Sequence, residues 1–140
     1  MTRGPFFLDA CVPIYAAGTE HDYKEPCRRV LQAVAQGDLD AITDTEVIQE
    51  IAYRYHAIGR PEGLALAEEF LALIQDVLPV TRADVCRFLE LQRAYPSLRP
   101  RDAIHVATML GSGVTLIVTA DRHFDAVREV ERVHPVDLRW

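Results

Sequence analysis

Four carboxylates are set apart by where they fall: Asp9, Glu50, Asp102 and Asp121. Asp9 closes the apolar run Phe6-Phe7-Leu8, Glu50 falls in the second turn of a predicted helix, Asp102 opens another helix, and Asp121 follows the apolar run from Val114 to Val118. Carboxylates drawn into one pocket repel one another and raise their own pKa values unless a cation intervenes. Oxygen-only ligation suits Mg2+ first and Mn2+ second, and without a His-x-x-x-His pair or clustered Cys the chain is a poorer match for zinc. Hydrolysis of a phosphodiester is the chemistry that such acids explain most directly.

Each acid also has a structural explanation. Asp9 could cap the turn after its strand, yet a carboxylate directly behind Phe-Phe-Leu sits in a poorly solvated place. Thr43 and Glu46 have capping-box spacing, which leaves Glu46 as a residue behind the site and Glu50, four further on and on the same face, without a capping duty. Asp102 suits a helix N-terminus on charge alone, and Asp121 suits an N-cap; Thr119 either caps or finishes the strand. Asp44 and Asp125 are spare acids that solvent exposure explains, with Asp125, one turn beyond Asp121, placed to act as an outer ligand. An acidic pocket repels nucleic acid, so basic residues must help reverse its potential, and Arg101 and Arg122 are the positional candidates for phosphate contact.

Other chemistries lack their parts. Cys11, Cys27 and Cys86 are widely spaced and form no CxxC, which suggests neither a disulfide framework nor a thiolate zinc site and suits a reducing cytoplasm. The five histidines form no recognisable ligand or catalytic group, and His105 reads as a half-buried helix residue. No G-x-S-x-G elbow or P-loop occurs. The formal charge of -6, with Lys24 the only lysine, argues against a surface that is basic throughout. No apolar run reaches membrane-spanning length, and the expectation is a protein without a membrane partner.

Alternating strands and helices must position these residues. Strands are predicted over Pro5 to Leu8, Leu39 to Ile42, Val77 to Val80, Val114 to Val118 and Val133 to Leu138. A turn region around Gly18 follows the first strand. Helices are predicted from Tyr23 to Gln36, from Thr43 to about His56, from Pro61 to Gln75, from Thr81 to Tyr95, from Pro100 onward, and from Arg122 to Val130. Pro79 assigns the third strand to a sheet edge. The pattern gives a three-layer α/β/α sandwich around a central, mainly parallel sheet of about five strands, with residues 1–140 as one domain. Ligands in such folds collect beyond the carboxyl ends of the strands, where these acids fall.

The segments Phe6-Phe7-Leu8-Asp9-Ala10, Thr45 to Tyr53 around Glu50, Arg101-Asp102-Ala103-Ile104-His105-Val106-Ala107 and Val118-Thr119-Ala120-Asp121-Arg122-His123-Phe124-Asp125 closely resemble the blocks of the PIN-domain nucleases, in the order and spacing of VapC-type toxins. The resemblance covers nearly the whole chain. It implies a PIN-like fold and a Mg2+-dependent ribonuclease, with Asp9, Glu50, Asp102 and Asp121 as metal-holding catalytic acids and Thr119 orienting metal or water. It further implies an RNA substrate, a cognate antitoxin and a homodimer, and the cysteine pattern adds the expectation of a cytoplasmic location. Hydrolysis would leave 5'-phosphate and 3'-hydroxyl ends. The polar stretch from Gly18 to Pro26 departs from the pattern and would shape substrate entry differently. A non-catalytic α/β binding module is the competing reading. An aspartate-based phosphatase or receiver-like domain is disfavoured because position 11 is not acidic and no lysine follows Lys24.

Overall fold

Each apolar run becomes a strand and each apolar stripe a helix packed against it. The computed structural model describes residues 3–140. The strands are β1 (Phe6–Leu8), β2 (Ala41–Asp44), β3 (Asp76–Leu78), β4 (Leu116–Val118) and β5 (Glu131–Val133). The helices are α1 (Cys11–Ala17), α2 (Lys24–Ala35), α3 (Thr45–Ala57), α4 (Glu62–Leu73), α5 (Arg82–Ala94) and α6 (Pro100–Gly111), with a 3-10 turn at Arg122–Ala126. The sheet is wholly parallel, in the order β3-β2-β1-β4-β5. The chain therefore leaves β1 towards one edge through β2 and β3, then crosses to the other side of β1 for β4 and β5. This reversal opens a crevice at the carboxyl ends of β1 and β4, the usual place for a ligand in an open α/β sheet. Phe6, Phe7, Leu8, Ile117 and Val118 are buried, as expected for central strands covered on both faces.

The predicted architecture and its edge strand β3 are observed, with local corrections. The stretch after Asp9 is a helix, α1, rather than a turn; Pro13 lies in its first turn, where no intrahelical N–H is lost. β2 begins two residues later than predicted because Gly37, at φ 79°, turns the chain so that Asp38 and Leu39 both donate to the Ala33 carbonyl. Thr43 is not the cap of α3. It lies in β2 and donates to the Leu8 carbonyl at 3.0 Å, while Asp44 caps the helix by accepting from the Val47 N–H at 2.8 Å. A Thr81–Asp84 capping box opens α5. The last helix shortens to a 3-10 turn whose buried Phe124 and Val127 lie three residues apart, the repeat of that helix. β5 stops before Pro135, which has no N–H for a ladder. No helix among the described residues is long and apolar enough to cross a membrane.

Candidate active site

Beyond the carboxyl ends of β1 and β4 lies a cleft of about 240 Å³ lined by Asp9, Glu50, Asp102 and Asp121, together with Cys11, Tyr15, Tyr23, Arg54, Arg99 and Ala120. All four predicted acids meet there, although they come from four separate segments of the chain.

Asp9 is held at the end of β1 by two donors: its own neighbour's N–H, Ala10, at 2.9 Å on Oδ1, and the Thr119 hydroxyl at 2.7 Å on Oδ2. Thr119 thereby links β1 to the end of β4, and its oxygen also accepts the Asp121 N–H. Burial, reinforced by the charges of Glu50 and Asp102, pushes the Asp9 carboxyl up to about 6 even though His105 and Thr119 pull the other way. A carboxylate in this state is short of positive charge.

Glu50 stands on the second turn of α3 and is fixed from below. Its Oε1 lies 3.1 Å from His105 Nε2, and the Arg54 guanidinium lies 3.6 Å from Oε2. Burial pushes this carboxyl up, but the hydrogen bond and charge of His105, with Arg54 and Arg101 behind them, outweigh it and hold the group below the usual glutamate range.

His105 corrects the sequence reading twice over, since it is fully buried and central to the site. Its Nδ1 contacts Asp44 Oδ2 at 2.9 Å while its Nε2 contacts Glu50. Burial alone would lower its pKa, but Asp44, Glu50 and Asp9 raise it well above the ordinary value, which favours the imidazolium form that can donate to both carboxylates. Asp44, expected in solvent, is wholly buried: one oxygen caps α3 and the other accepts from His105 and from Thr108 at 2.8 Å. The signal that could have exposed this network is the spacing Asp102, His105, Thr108, which puts all three on one face of α6.

Asp102 and Asp121 are joined by Arg99, which the sequence reading did not single out. Arg99 donates through Nε to Asp102 Oδ2 at 3.0 Å and through a terminal nitrogen to Asp121 Oδ2 at 2.5 Å. Burial raises the Asp102 carboxyl despite Arg99 and His105. At Asp121, burial is outweighed by the backbone N–H and ring of His123 and by Arg99, and the carboxyl is lowered.

The remaining candidates lie outside the cleft lining. Glu46 pairs with Arg101 at 3.3 Å, and that guanidinium rests over the Tyr53 ring. Asp125 pairs with Arg132, and Arg122 is exposed. The two arginines that do line the cleft are Arg54 and Arg99.

The donors fit a divalent cation. Asp9 and Glu50 offer hard oxygens that lie within 4.8 Å of one another, with Asp102 lining the same cleft, and Asp9 in particular is a buried acid whose carboxyl is pushed upward. His105 Nε2 lies within 4.8 Å of oxygens of Asp9 and Glu50, but in the favoured imidazolium form it donates to Glu50 and has no lone pair for a metal. The Cys11 thiol is no nucleophile either, since burial and the Asp9 charge push its pKa upward.

Comparison with known proteins agrees with this geometry. The PIN domain family profile matches residues 6–130. Ribonuclease VapC13 of Mycobacterium tuberculosis is 34% identical over 127 residues, which span 90% of this chain and 97% of that protein. Among solved structures, VapC20 of Mycobacterium tuberculosis, described as a Sarcin-Ricin loop cleaving toxin, superposes with a TM-score of 0.75 at 19% identity, covering 94% of this chain and all of that one. VapBC2 from Rickettsia felis, bound to a DNA fragment from its promoter, gives a TM-score of 0.71 at 12% identity over 92% of this chain and 97% of that one. At these identities the two structures speak for the fold.

Proposed function

Because the chain belongs to the PIN domain family, we propose that it is a metal-dependent ribonuclease of the VapC toxin type, hydrolysing RNA phosphodiester bonds. The observation that carries this reading is the meeting of Asp9, Glu50, Asp102 and Asp121 in one cleft with Asp9 left short of positive charge. The similarity to Ribonuclease VapC13 supports RNA as the substrate.

Asp9, Glu50, Asp102 and Asp121 form the acidic set around the Mg2+ site, with Mn2+ as the second choice. The bound ion supplies Lewis acidity, lowering the pKa of water and offsetting the charge that develops on the phosphoryl oxygens. The chain's own residues position everything else. Thr119 fixes the rotamer of Asp9, His105 fixes Glu50, and Arg54 and Arg99 offer guanidinium N–H groups to RNA phosphate at the cleft mouth. Attack by water on phosphorus with the 3' oxygen leaving gives 5'-phosphate and 3'-hydroxyl ends. Glu46, Arg101, Arg122 and Asp125 act outside the cleft lining, in support or at the rim.

Residues 1–140 form one nuclease domain that works in the cytoplasm. A cognate antitoxin is the proposed protein partner, a reading favoured by the structural likeness to VapBC2. A cavity of about 690 Å³ shares Tyr15 and Arg54 with the acidic cleft and gives such a chain a place to lie across the site. Leu64, Val85 and Leu89, exposed on their helices, favour a homodimer, which light scattering would detect.

End-mapped digestion of a total-RNA pool with and without Mg2+, alongside Asp9→Asn, tests the reading. Discrete 5'-phosphate ends that need both the ion and Asp9 are expected. Cleavage undiminished by chelator or by the substitution would refute it.

A further inference from the structure

The two sides of the cleft are unequally supplied with positive charge. Among the described residues Asp9 has no arginine partner, and its one basic neighbour within 4.0 Å is the His105 ring, already shared with Asp44 and Glu50. On the opposite side a single guanidinium bridges Asp102 and Asp121.

The backbone holds that guanidinium in place. Arg99 is the extended N-cap of α6 at φ -67° and ψ 149°, a conformation enforced by Pro100 behind it, and Leu98 before it is buried. From the N-cap, the side chain reaches back over the first helical turn to Asp102 and across to Asp121.

Asp121 is the more heavily engaged of the two acids. Its Oδ2 takes Arg99, and its Oδ1 takes the His123 N–H at 2.9 Å and the His123 ring at 2.7 Å. An ion approaching Asp121 would have to compete with Arg99 and His123 for its oxygens. Asp102 is different, because Arg99 engages only its Oδ2. The arginine side chain itself is 58% exposed, lines the cleft and gives only two of its five N–H groups to these acids, which leaves the others for a ligand.

We propose that Arg99 is a built-in cation in the Asp102–Asp121 half of the cleft, so that the protein takes one divalent ion, on the Asp9 side, and uses the guanidinium for the phosphate contact that a second ion would otherwise make. The assignment rests on the ribonuclease reading above and sharpens it. Two-cation sites clamp the attacking and leaving oxygens of a phosphoryl group, and a guanidinium can deliver the same charge through fixed hydrogen bonds. Asp121 is then the anchor of Arg99 rather than a direct ligand.

Counting bound ions tests this, with free Mn2+ followed by electron paramagnetic resonance as it is titrated into purified protein. Wild type should bind one Mn2+ per chain, Asp9→Asn none, and Asp121→Asn still one. Arg99→Ala should bind two, Arg99→Lys one, and the Arg99→Ala, Asp121→Asn pair one again. In parallel, the salt dependence of binding to a non-hydrolysable RNA analogue should lose a slope of about one on Arg99→Ala and keep it on Arg99→Lys. Two ions on the wild type, or one on a folded Arg99→Ala, would overturn the assignment. If Arg99→Ala does not fold, the wild-type count and the Asp121→Asn count decide. A wild-type protein that binds no Mn2+ and leaves RNA intact would instead defeat the ribonuclease reading, whereas ion-dependent cleavage with the wrong count defeats only the role of Arg99.

Discussion

Asp9 and Glu50 stand on a buried scaffold, whereas Asp102 and Asp121 are tied together by an arginine that is 58% exposed. The first pair is positioned from behind by Thr119, His105, Asp44 and Thr108, all inaccessible to solvent or nearly so. In such surroundings a hydrogen bond or ion pair is little screened and its loss leaves a buried charge unpaired. The second pair is held from the solvent side by an exposed guanidinium, which water can replace at the part-exposed Asp121, although Asp102 is itself buried. The contrast teaches that one side of the cleft is preformed while the other is governed by a single side chain that can exchange partners.

The largest expected effect is on chemistry. Asp9→Asn should abolish ion-dependent RNA cleavage while circular dichroism stays that of the wild type, because the amide keeps the shape of the group but not its charge.

Stability should separate the two sides next. His105→Ala leaves Asp44 and Glu50 buried without their shared cation and should cost about 3–5 kcal/mol in denaturant melts. Arg99→Ala should cost less, about 1–2 kcal/mol in the same assay, because the guanidinium is exposed even though Asp102 is buried. Equal losses would erase the distinction between the two halves.

The Asp9 carboxyl gives a pH signature of similar size. Folding moves it from the ordinary aspartate 3.8 up to about 6. Across that window the folded protein keeps a proton that the unfolded chain has released, so this group withdraws stability as pH rises, by about 3 kcal/mol at most above the window. Metal-free Asp9→Asn should therefore be more stable than wild type near neutral pH, and the advantage should disappear below about pH 4. Thermal melts in chelator across this range check the sign. A smaller stability for the Asn variant at neutral pH would show that Asp9 is already well compensated without an ion.

The smallest effect belongs to the rim. Asp125 is exposed and bonded to Arg132, and Asp125→Asn should shift stability by under about 1 kcal/mol and leave cleavage largely intact. A large loss of cleavage would move Asp125 into the working half of the cleft.

The sequence made the positions of the four acids readable because each follows or opens a strong local signal: Phe6-Phe7-Leu8 before Asp9, the α3 pattern around Glu50, Pro100 before Asp102, and the β4 run before Asp121. What supports them was not readable in the same way. Thr43, Asp44 and Thr45 are three adjacent residues able to cap α3, and only the tertiary pairing of Thr43 with Leu8 and of Asp44 with His105 selects Asp44. That choice also buries an acid whose type suggests solvent. His105 looks like an isolated histidine until α6 is packed against α3, and Arg99 looks like one of many arginines until the loop after β4 brings Asp121 to it. The short α1 was hidden by Pro13, whose harmless place in the first turn depends on where the helix begins.

A crystal soaked in Mn2+ and measured by anomalous diffraction at the manganese edge tests the central claim most directly. The account predicts a peak in the cleft within coordination distance of Asp9, with Glu50 and Asp102 around it. An empty cleft at saturating Mn2+, or a peak at some other group of residues, would contradict it.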